Sequence, residues 1–246
     1  MPVPIRVGTA GWSIPRQHAG QFSAEGSALE RYASRFAVVE INSSFHRPHR
    51  LSTWERWHDS TPDGFRFSVK VPKTITHQRK LADCDALLTG FLAQAHTLGE
   101  KLAVLLVQLP PKLDYEPELA ARFFSGLGAR TRAAIACEPR HGGWFTPEAS
   151  ELLERLRVAR VAADPARVPA AAEPGGWPGL AYWRLHGSPA MYRSSYADRI
   201  AAYAAALKET AADGHEAWCI FDNTASSAAA GDALALMDAV GGNAAG

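Results

Sequence analysis

The sequence predicts a mixed α/β chain that folds as a single (β/α)₈ barrel of the TIM type, with its core over about residues 5–240. Short runs rich in β-branched, aromatic and aliphatic residues alternate eight times with segments of helical periodicity. This alternation is typical of a parallel sheet covered by helices, and eight units are the number that closes such a barrel. No Gly-x-Gly-x-x-Gly or Gly-Lys-Ser/Thr loop follows a strand, which argues against the alternative of an open nucleotide-binding sheet.

The predicted strands are short apolar runs bounded by polar or turn-forming residues. They cover Ile5–Ala10, Val38–Ser43, Phe65–Val71, Val104–Leu109, Ala134–Glu138, Val158–Asp164, Ala181–His186 and Trp218–Asp222.

Start signals mark several of the helices between these strands. Ser27-Ala-Leu-Glu30 and Ser52-Thr-Trp-Glu55 have the spacing of capping boxes. Asp83 is expected to cap the fourth helix, and Pro147 suits the first turn of a helix that follows Thr146.

The carboxyl-terminal third departs from a regular alternation. The segment from Pro165 to Gly179 is rich in Pro, Ala and Gly, so the helix between strands six and seven is expected to be reduced or missing. The seventh helix is predicted over about Asp198–Ala212, and the eighth from about Asn223-Thr224 to just before Gly241. No linker or convincing internal repeat interrupts the chain, which favours one domain over residues 1–246.

Composition excludes several classes of protein. The chain is 47% hydrophobic and 21% charged with a formal net charge of +1, which disfavours nucleic acid as a partner without excluding it. The start of the chain lacks the basic and long apolar regions of a signal peptide, and no aliphatic run is long enough to span a bilayer. Three widely spaced cysteines, Cys84, Cys137 and Cys219, indicate buried free thiols. We therefore expect a cytoplasmic protein with no membrane association.

Polar residues concentrate at the carboxyl ends of the predicted strands. Strand alternation places Glu40 with Asn42, and Arg184 with His186, on the face that points into a barrel. Further polar residues at these ends are Ser68, Lys70, Gln108, Glu138, Arg140, Asp164, Asp222 and Asn223. Because barrel enzymes build their sites at this end, the pattern favours a pocket over the alternative of an ion-pair network that merely fills the barrel.

Several motifs made of these residues resemble one family. They are Gly8-Thr-Ala-Gly-Trp12, Val39-Glu-Ile-Asn-Ser-Ser-Phe45, Phe65-Arg-Phe-Ser-Val-Lys-Val-Pro72 with Ile75-Thr-His77, Gln108-Leu-Pro-Pro111 and Trp183-Arg-Leu-His-Gly187. Together they look like the YecE-like proteins, designated domain of unknown function seventy-two, over about Ile5 to Met237. The resemblance implies a TIM-barrel fold and no particular reaction.

The sequence departs from that family at the rim of the expected pocket. The family often has an aromatic residue between the Glu and Arg that correspond to Glu138 and Arg140, where this chain has Pro139. It also often has Tyr where this chain has Ile14 and His46, and two Asn where this chain has Asp222-Asn223. Substrate preference is therefore not carried over from the family.

Candidate catalytic residues are the carboxylates, amine and imidazole at the strand ends. They are Glu40, Lys70, Glu138, Asp164 and His186. Cations lie between the carboxylates, a mixture that favours hydrogen-bonded acid–base groups over a divalent-metal cluster. We expect no metal and no cofactor; if a metal were bound, His186 would be the best single ligand.

Candidate substrate-binding residues are the remaining polar and aromatic groups near the same ends. They are Trp12, Asn42, His77, Gln108, Arg140, Arg184, Tyr192, Tyr196, Asp222 and Asn223. Arg184 and His186, followed by Gly187-Ser188, and a helix start at Asn223-Thr224 would together hold an anion, because the first N–H groups of a helix have no partners within it. Packing is an equally good explanation for the aromatic residues.

Three functions remain open from the sequence. The first is an enzyme that applies acid–base chemistry to a small polar or phosphorylated molecule, such as a sugar or nucleotide derivative. The second is a metal-dependent phosphoesterase or isomerase, with nucleic acid as one of the substrates left open, and it depends on fold analogy alone. The third is a non-catalytic small-molecule binding protein.

Overall fold

The computed structural model describes residues 3–241 and contains one ten-stranded sheet. Its strands are β1 (Ile5–Ala10), β2 (Val38–Ile41), β3 (Arg66–Lys70), β4 (Leu102–Gln108), β5 (Ala134–Glu138), β6 (Val158–Arg160), β7 (Ala162–Asp164), β8 (Gly175–Gly176), β9 (Leu180–Leu185) and β10 (Glu216–Phe221). Every predicted strand is present, and the expected sixth strand is divided into β6 and β7.

The sheet closes through this divided strand. The strand order is β7-β9-β10-β1-β2-β3-β4-β5-β6-β8. β6 pairs in parallel with β5, and β7 pairs in parallel with β9. Only Val161 separates β6 from β7, and its N–H donates to the carbonyl of Cys137 over 2.8 Å. The sixth strand position therefore joins both ends of the sheet, and the α/β barrel predicted from the sequence is confirmed.

Eight α-helices lie within the described residues. They are α1 (Ala28–Ala33), α2 (Ser43–His46), α3 (Leu51–Asp59), α4 (Asp85–Ala95), α5 (Pro117–Gly128), α6 (Pro147–Arg155), α7 (Ile200–Ala212) and α8 (Ala228–Val240).

No α-helix separates β7 from β9, as the sequence predicts. Only a short 3₁₀ turn, Pro169–Ala172, and the antiparallel strand β8 occupy this connection. Pro lacks a backbone N–H and restricts the residue before it, so the prolines of this segment are poorly suited to a continuous helix.

Two of the predicted helix starts are confirmed. The Oγ of Ser27 accepts from the N–H of Glu30 over 3.3 Å, and the Glu30 carboxylate accepts in return from the N–H of Ser27. Thr146 caps α6, with Pro147 in its first turn.

Three other predicted starts are wrong. Ser52 lies inside α3, which begins one residue earlier and has no side-chain cap. Asp83 has a positive φ of 50° and lies one residue before Cys84, the N-terminal cap of α4. The last helix begins at Ala228 rather than near Asn223, because the Asn223 amide bonds to groups outside that first turn: it donates to Asp232 and to the carbonyl of Ser194.

The barrel interior has two layers. Its amino-terminal half is an apolar cluster of residues from several strands, including Val38, Val104, Leu106, Ala136, Tyr182 and Trp218. The larger apolar core lies between the sheet and the helices. Polar side chains occupy the interior only toward the carboxyl ends of the strands, so the fold delivers them to one place. No helix among residues 3–241 combines the length and apolar character needed to cross a membrane.

The backbone of β1 at Gly8 packs closely against the neighbouring strand β2. A Cβ at this position would lie 2.3 Å from the carbonyl oxygen of Val38 on the neighbouring strand β2. We expect Gly8→Ala to lower the free energy of unfolding by about 1–3 kcal/mol, the usual cost of overpacking. The matched change Gly90→Ala, on the exposed face of α4 where no atom lies within 4 Å, should instead stabilise by up to about 1 kcal/mol. Urea denaturation measures both, and equal effects would contradict this account.

Candidate functional site

A fully buried guanidinium lies at the centre of the polar layer. Arg184, on β9, donates to both oxygens of Glu40 over 2.6 and 2.9 Å, to Glu138 over 2.5 Å and to Asp222 over 3.1 Å. The three carboxylates come from β2, from β5 and from the residue after β10. One cation thus connects three separate parts of the barrel, and both terminal nitrogens and Nε of Arg184 have partners.

His186 extends this network toward the opening of the barrel. Its Nδ1 lies 3.0 Å from Asp222, and its Nε2 lies 2.9 Å from Glu138 and 2.9 Å from Nη2 of Arg140. Arg140 also approaches Glu138 to 2.5 Å. We define the charge network as Glu40, Glu138, Arg140, Arg184, His186 and Asp222.

The network fixes the ionisation of Glu138, Asp222 and Arg184. Burial alone raises the pKa of Glu138, but Arg184, Arg140 and His186 outweigh that effect and hold the pKa well below its ordinary value. Burial likewise opposes ionisation of Asp222, and Arg184 with His186 nevertheless keeps its pKa below the ordinary value. Burial also lowers the pKa of Arg184, and the three carboxylates more than reverse this. These groups therefore remain charged at neutral pH.

Tyr182 is part of the site and was missed by the sequence interpretation. Its hydroxyl lies 3.0 Å from Glu40 and 2.9 Å from the Oγ of Ser68, inside the barrel. Burial and the Glu40 charge raise its pKa well above the ordinary value, so it acts as a hydrogen-bond donor. The signal was available, because Tyr182 precedes Arg184 by two residues and therefore shares its face of the strand.

Lys70, at the end of β3, is the exception among these charged groups. Its side chain is buried, with 8% exposed, and Nζ lies 4.3 Å from the centre of the Phe45 ring. Within residues 3–241 its ammonium makes no hydrogen bond or ion pair with a carboxylate. Burial and then the Arg184 charge lower the pKa of Lys70 to about 8, an effect that Glu40, Glu138 and Asp222 only partly offset. Lys70 is therefore an amine that exchanges its proton near neutral pH.

Three buried polar atoms in or next to the network have no partner among the described residues. They are Nε of Arg140, Oδ1 of Asn42 and Oδ1 of Asn223. The amide of Asn42 donates to Asp222 over 3.4 Å, and that of Gln108 to Glu138 over 3.3 Å. Buried polar groups are nearly always satisfied, so unpartnered atoms at a strand end indicate a place for a ligand.

His77 lies on the same side of the opening as Lys70. Its ring meets the Phe45 ring edge-on at 5.0 Å, and Nδ1 lies 2.9 Å from the Thr76 hydroxyl. Burial, followed by the charges of Lys70 and Arg140, lowers the pKa of His77. At neutral pH this half-buried imidazole is therefore neutral and able to accept a proton.

The aromatic candidates separate into two kinds. Tyr192 is 42% exposed, and its ring lies edge-on to His186 at 5.9 Å, so it lies at the opening. Tyr196 is fully buried, accepts from the N–H of Gly187 and donates to the carbonyl of Asp164, which makes it a structural residue. Trp12 packs edge-on against Trp57 at 5.3 Å.

Asp164 is not brought into the charge network. Its carboxylate pairs with Arg199 and accepts from the hydroxyl of Tyr203 over 2.7 Å, toward α7. Within the described part of the chain its side chain contacts no network member. The position of this residue at the end of a strand suggested an inward direction, but the division of the sixth strand at Val161 changes the pairing partners there.

The expected anion cup at Arg184 and Asn223 is also absent. Arg184 has no exposed surface and its nitrogens already meet three carboxylates. Asn223 is buried, and its amide donates to Asp232 over 2.7 Å. Because α8 begins five residues later, no helix terminus faces the site from Asn223.

All three cysteines are buried and free, as predicted. Among residues 3–241, no three His, Cys, Asp or Glu side chains are grouped so as to hold a metal ion. A separate surface cavity of about 640 Å³ lies at the amino ends of β3, β4 and β5 and is lined in part by Arg66, Arg130 and Arg132. That cavity is remote from the charge network.

Comparison with known proteins gives consistent matches. The family model described as "Protein of unknown function DUF72" matches residues 6–246. The UPF0759 protein YecE of Escherichia coli K12 is 35% identical over 106 residues, which are 43% of this chain and 38% of that protein. The UPF0759 protein YunF of Bacillus subtilis 168 is 30% identical over 151 residues, or 58% of this chain and 53% of YunF. The aligned segments thus span about half or less of these curated relatives.

Two solved structures share the fold. A DUF72 family protein from Enterococcus faecalis V583 superposes with a TM-score of 0.80 at 22% identity, covering 96% of this chain and 95% of that one. A DUF72 family protein from Thermotoga maritima MSB8 superposes with a TM-score of 0.76 at 22% identity, covering 95% and 98%. At this identity the likeness concerns the fold alone.

Proposed function

The chain belongs to the DUF72 family of barrel proteins. We propose that it is an enzyme applying acid–base chemistry to a small anionic molecule at the carboxyl ends of the strands. In barrels of this kind, the strand ends and the loops after them form the active site. The proposal assigns proton transfer to Lys70 and His77 and orientation of the substrate to Asn42 and Arg140.

One observation carries this proposal. Within residues 3–241, Nζ of Lys70 has no hydrogen-bonded partner, and Asn42 and Arg140 each have an unpartnered buried atom, at a network whose other charges are paired. A structural plug would pair its charges, because an unpaired buried charge costs several kcal/mol, roughly. The unpaired groups are therefore better explained as the part of the site that a ligand completes.

The charges favour an anionic ligand. Glu40, Glu138 and Asp222 already hold Arg184 and His186. The groups left with free hydrogen-bonding capacity include the cations Lys70 and Arg140. A carboxylate or phosphate would form charge-assisted hydrogen bonds with both. We therefore expect the anion to bind at Arg140 and Lys70 rather than at Arg184.

Two other functions would lead to different observations. A binding protein without catalysis would hold the same ligand and leave its C–H bonds intact. A metal-dependent phosphoesterase would need ligand side chains free to coordinate, whereas the network carboxylates are bonded to Arg184. The buried free thiols support a reducing compartment, and we propose the cytoplasm.

Arg140→Met tests the binding role. We expect this change to weaken binding of inorganic phosphate and pyruvate about tenfold or more, because it removes a charged hydrogen-bond donor worth about 1.5–3 kcal/mol. Titration followed by the ring NMR signals of His77 and His186 measures the affinity. The control is Arg132→Met, in the cavity at the amino ends of the strands, which should leave the affinity unchanged. Equal affinities for Arg140→Met and the wild type would contradict the proposed site.

Deuterium exchange separates catalysis from binding. In D₂O the wild-type protein should exchange C–H hydrogens next to the carbonyl in at least one of pyruvate, dihydroxyacetone phosphate and ribose 5-phosphate. Proton NMR follows the loss of signal, with Lys70→Met as the inactive variant and Asp164→Asn as the active control. Saturable binding without exchange of any compound would favour the non-catalytic function.

A further inference from the structure

We propose that Lys70 is a nucleophile that forms an imine with a carbonyl compound carrying an anionic group, such as a 2-oxo acid or a phosphorylated aldehyde or ketone. The proposal rests on the function proposed above and names its reaction class and substrate class. Among the described residues the Lys70 amine has no hydrogen-bonded partner, although it lies inside a site rich in carboxylates.

The surroundings of Nζ keep it free to attack. Nζ lies 4.3 Å from the centre of the Phe45 ring, and among the described residues no carboxylate or carbonyl oxygen accepts a hydrogen bond from it. Lys101 shows the contrary arrangement, with Nζ donating to the carbonyls of His58 and Thr61 over 2.6 Å each. The ammonium of Lys101 is held by structure, whereas that of Lys70 is not.

The charges that face Lys70 favour the neutral amine. Burial and Arg184 on β9 lower its pKa to about 8, against the opposing charges of Glu40 on β2, Glu138 on β5 and Asp222 after β10. At pH 7 roughly a tenth of the molecules then carry the free amine, compared with fewer than about one in a thousand for an ordinary lysine. A desolvated lysine beside another cation is a recognised way to activate an amine nucleophile.

The neighbouring groups match the other parts of such a substrate. The unpartnered Nε of Arg140 can donate to a carboxylate or phosphate attached near the carbonyl. The half-buried His77 packs against the same Phe45 ring as Lys70, and the Lys70 charge contributes to the lowered pKa of His77, which places a proton acceptor in the same part of the site as the amine. Lys70, His77 and Arg140 would thus supply the nucleophile, the proton carrier and the anion contact.

The reaction balances without an oxidant or a reductant. The Lys70 ammonium gives one proton to His77, and the free amine attacks the carbonyl carbon to form a C–N bond while the C=O electrons move to oxygen. A second N–H proton moves to that oxygen and gives a hydroxyl. His77 then returns its proton to the hydroxyl, which leaves as water as the iminium forms. Ammonium and carbonyl compound become iminium and water, with the charge conserved.

Reductive trapping tests the inference. The intact protein is incubated with pyruvate or dihydroxyacetone phosphate and sodium cyanoborohydride, which converts an iminium into a stable secondary amine. We expect one adduct per chain by intact mass, located at Lys70 by peptide mapping, and absent from Lys70→Met and Lys70→Arg. Lys73→Arg, three residues along the chain, should label like the wild type.

The pH dependence of labelling and the possible negative results of the trapping experiment separate the imine from the function proposed above. Labelling at Lys70 should reach half its maximal rate near the pKa of about 8, well below the value of an exposed lysine. Adducts spread over surface lysines, or none at Lys70 while phosphate binding still depends on Arg140, would overturn the imine and leave the acid–base site standing. If no probe binds and nothing labels, both proposals fail.

Discussion

Arg184→Met is expected to lower the free energy of unfolding by about 3–5 kcal/mol, the cost of leaving buried carboxylates without their cation. Glu40 and Glu138 have no exposed surface, and Arg184 is hydrogen-bonded to both. Urea denaturation at neutral pH measures the change. The matched control is Arg199→Met at the same end of the barrel, where the partly exposed pair with Asp164 should cost about 1 kcal/mol or less.

Acidification should reduce the difference in the free energy of unfolding between the wild type and Arg184→Met. The pKa values of Glu138 and Asp222 are lower in the folded protein than in the unfolded chain. Their contribution to stability is therefore present above the unfolded values, about 4.3 and 3.9, and is lost as the pH falls through the folded values. Without Arg184 these carboxylates are easier to protonate, so the variant should lose less stability than the wild type on acidification. A difference that stays constant from pH 7 to about pH 4 would contradict this explanation.

Lys70→Met is expected to have the opposite sign and to stabilise the protein at pH 7 by roughly 3 kcal/mol. The pKa of Lys70 falls from 10.5 to about 8 on folding, and each pKa unit corresponds to 1.36 kcal/mol. Between these values the unfolded chain binds more protons, so wild-type stability rises with pH from about 8 to 10.5. The advantage of Lys70→Met should be full below pH 8 and fade toward pH 10.

Denaturation curves at pH 7 and at about pH 10 check this prediction. Lys101→Met is the informative control, because Nζ of Lys101 is bonded to two carbonyl oxygens and its removal should destabilise the protein. A loss of stability in Lys70→Met at pH 7 would mean that Lys70 is a structural cation. A gain in stability accompanied by loss of ligand binding or of catalysis would indicate that Lys70 is retained for function.

The fold could be predicted well from the sequence because its signals are local. Each strand is a short apolar run, and the prolines between Pro165 and Pro178 remove a helix where the structure lacks one. Helix starts were less reliable, since a capping residue has competing partners that the sequence does not reveal. The amide of Asn223 shows this, as it bonds to Asp232, which lies nine residues later on α8.

The sequence indicates which polar residues face the barrel interior but not how they pair. Arg184 on β9 bonds to Glu40 on β2 and lies beside His186, as alternation along the strands predicts. Alternation does not reveal that Arg184 is saturated by carboxylates while Lys70 has no ion pair among residues 3–241, because pairing depends on side-chain reach across the barrel. Asp164 satisfies the same alternation rule and nevertheless bonds to Arg199.

The position of Arg184 also has a consequence for how the chain is assembled. During synthesis Glu40 and Glu138 leave the ribosome well before β9. Until Arg184 arrives, Glu40 lacks the arginine that binds both of its oxygens, and Glu138 has only Arg140 as an arginine partner. Charged carboxylates keep their water under these conditions, since burying them alone is costly. The amino-terminal two thirds of the chain should therefore stay open and hydrated at its centre. Closure of the barrel and creation of the site are then the same event, completed only when the last quarter of the chain docks.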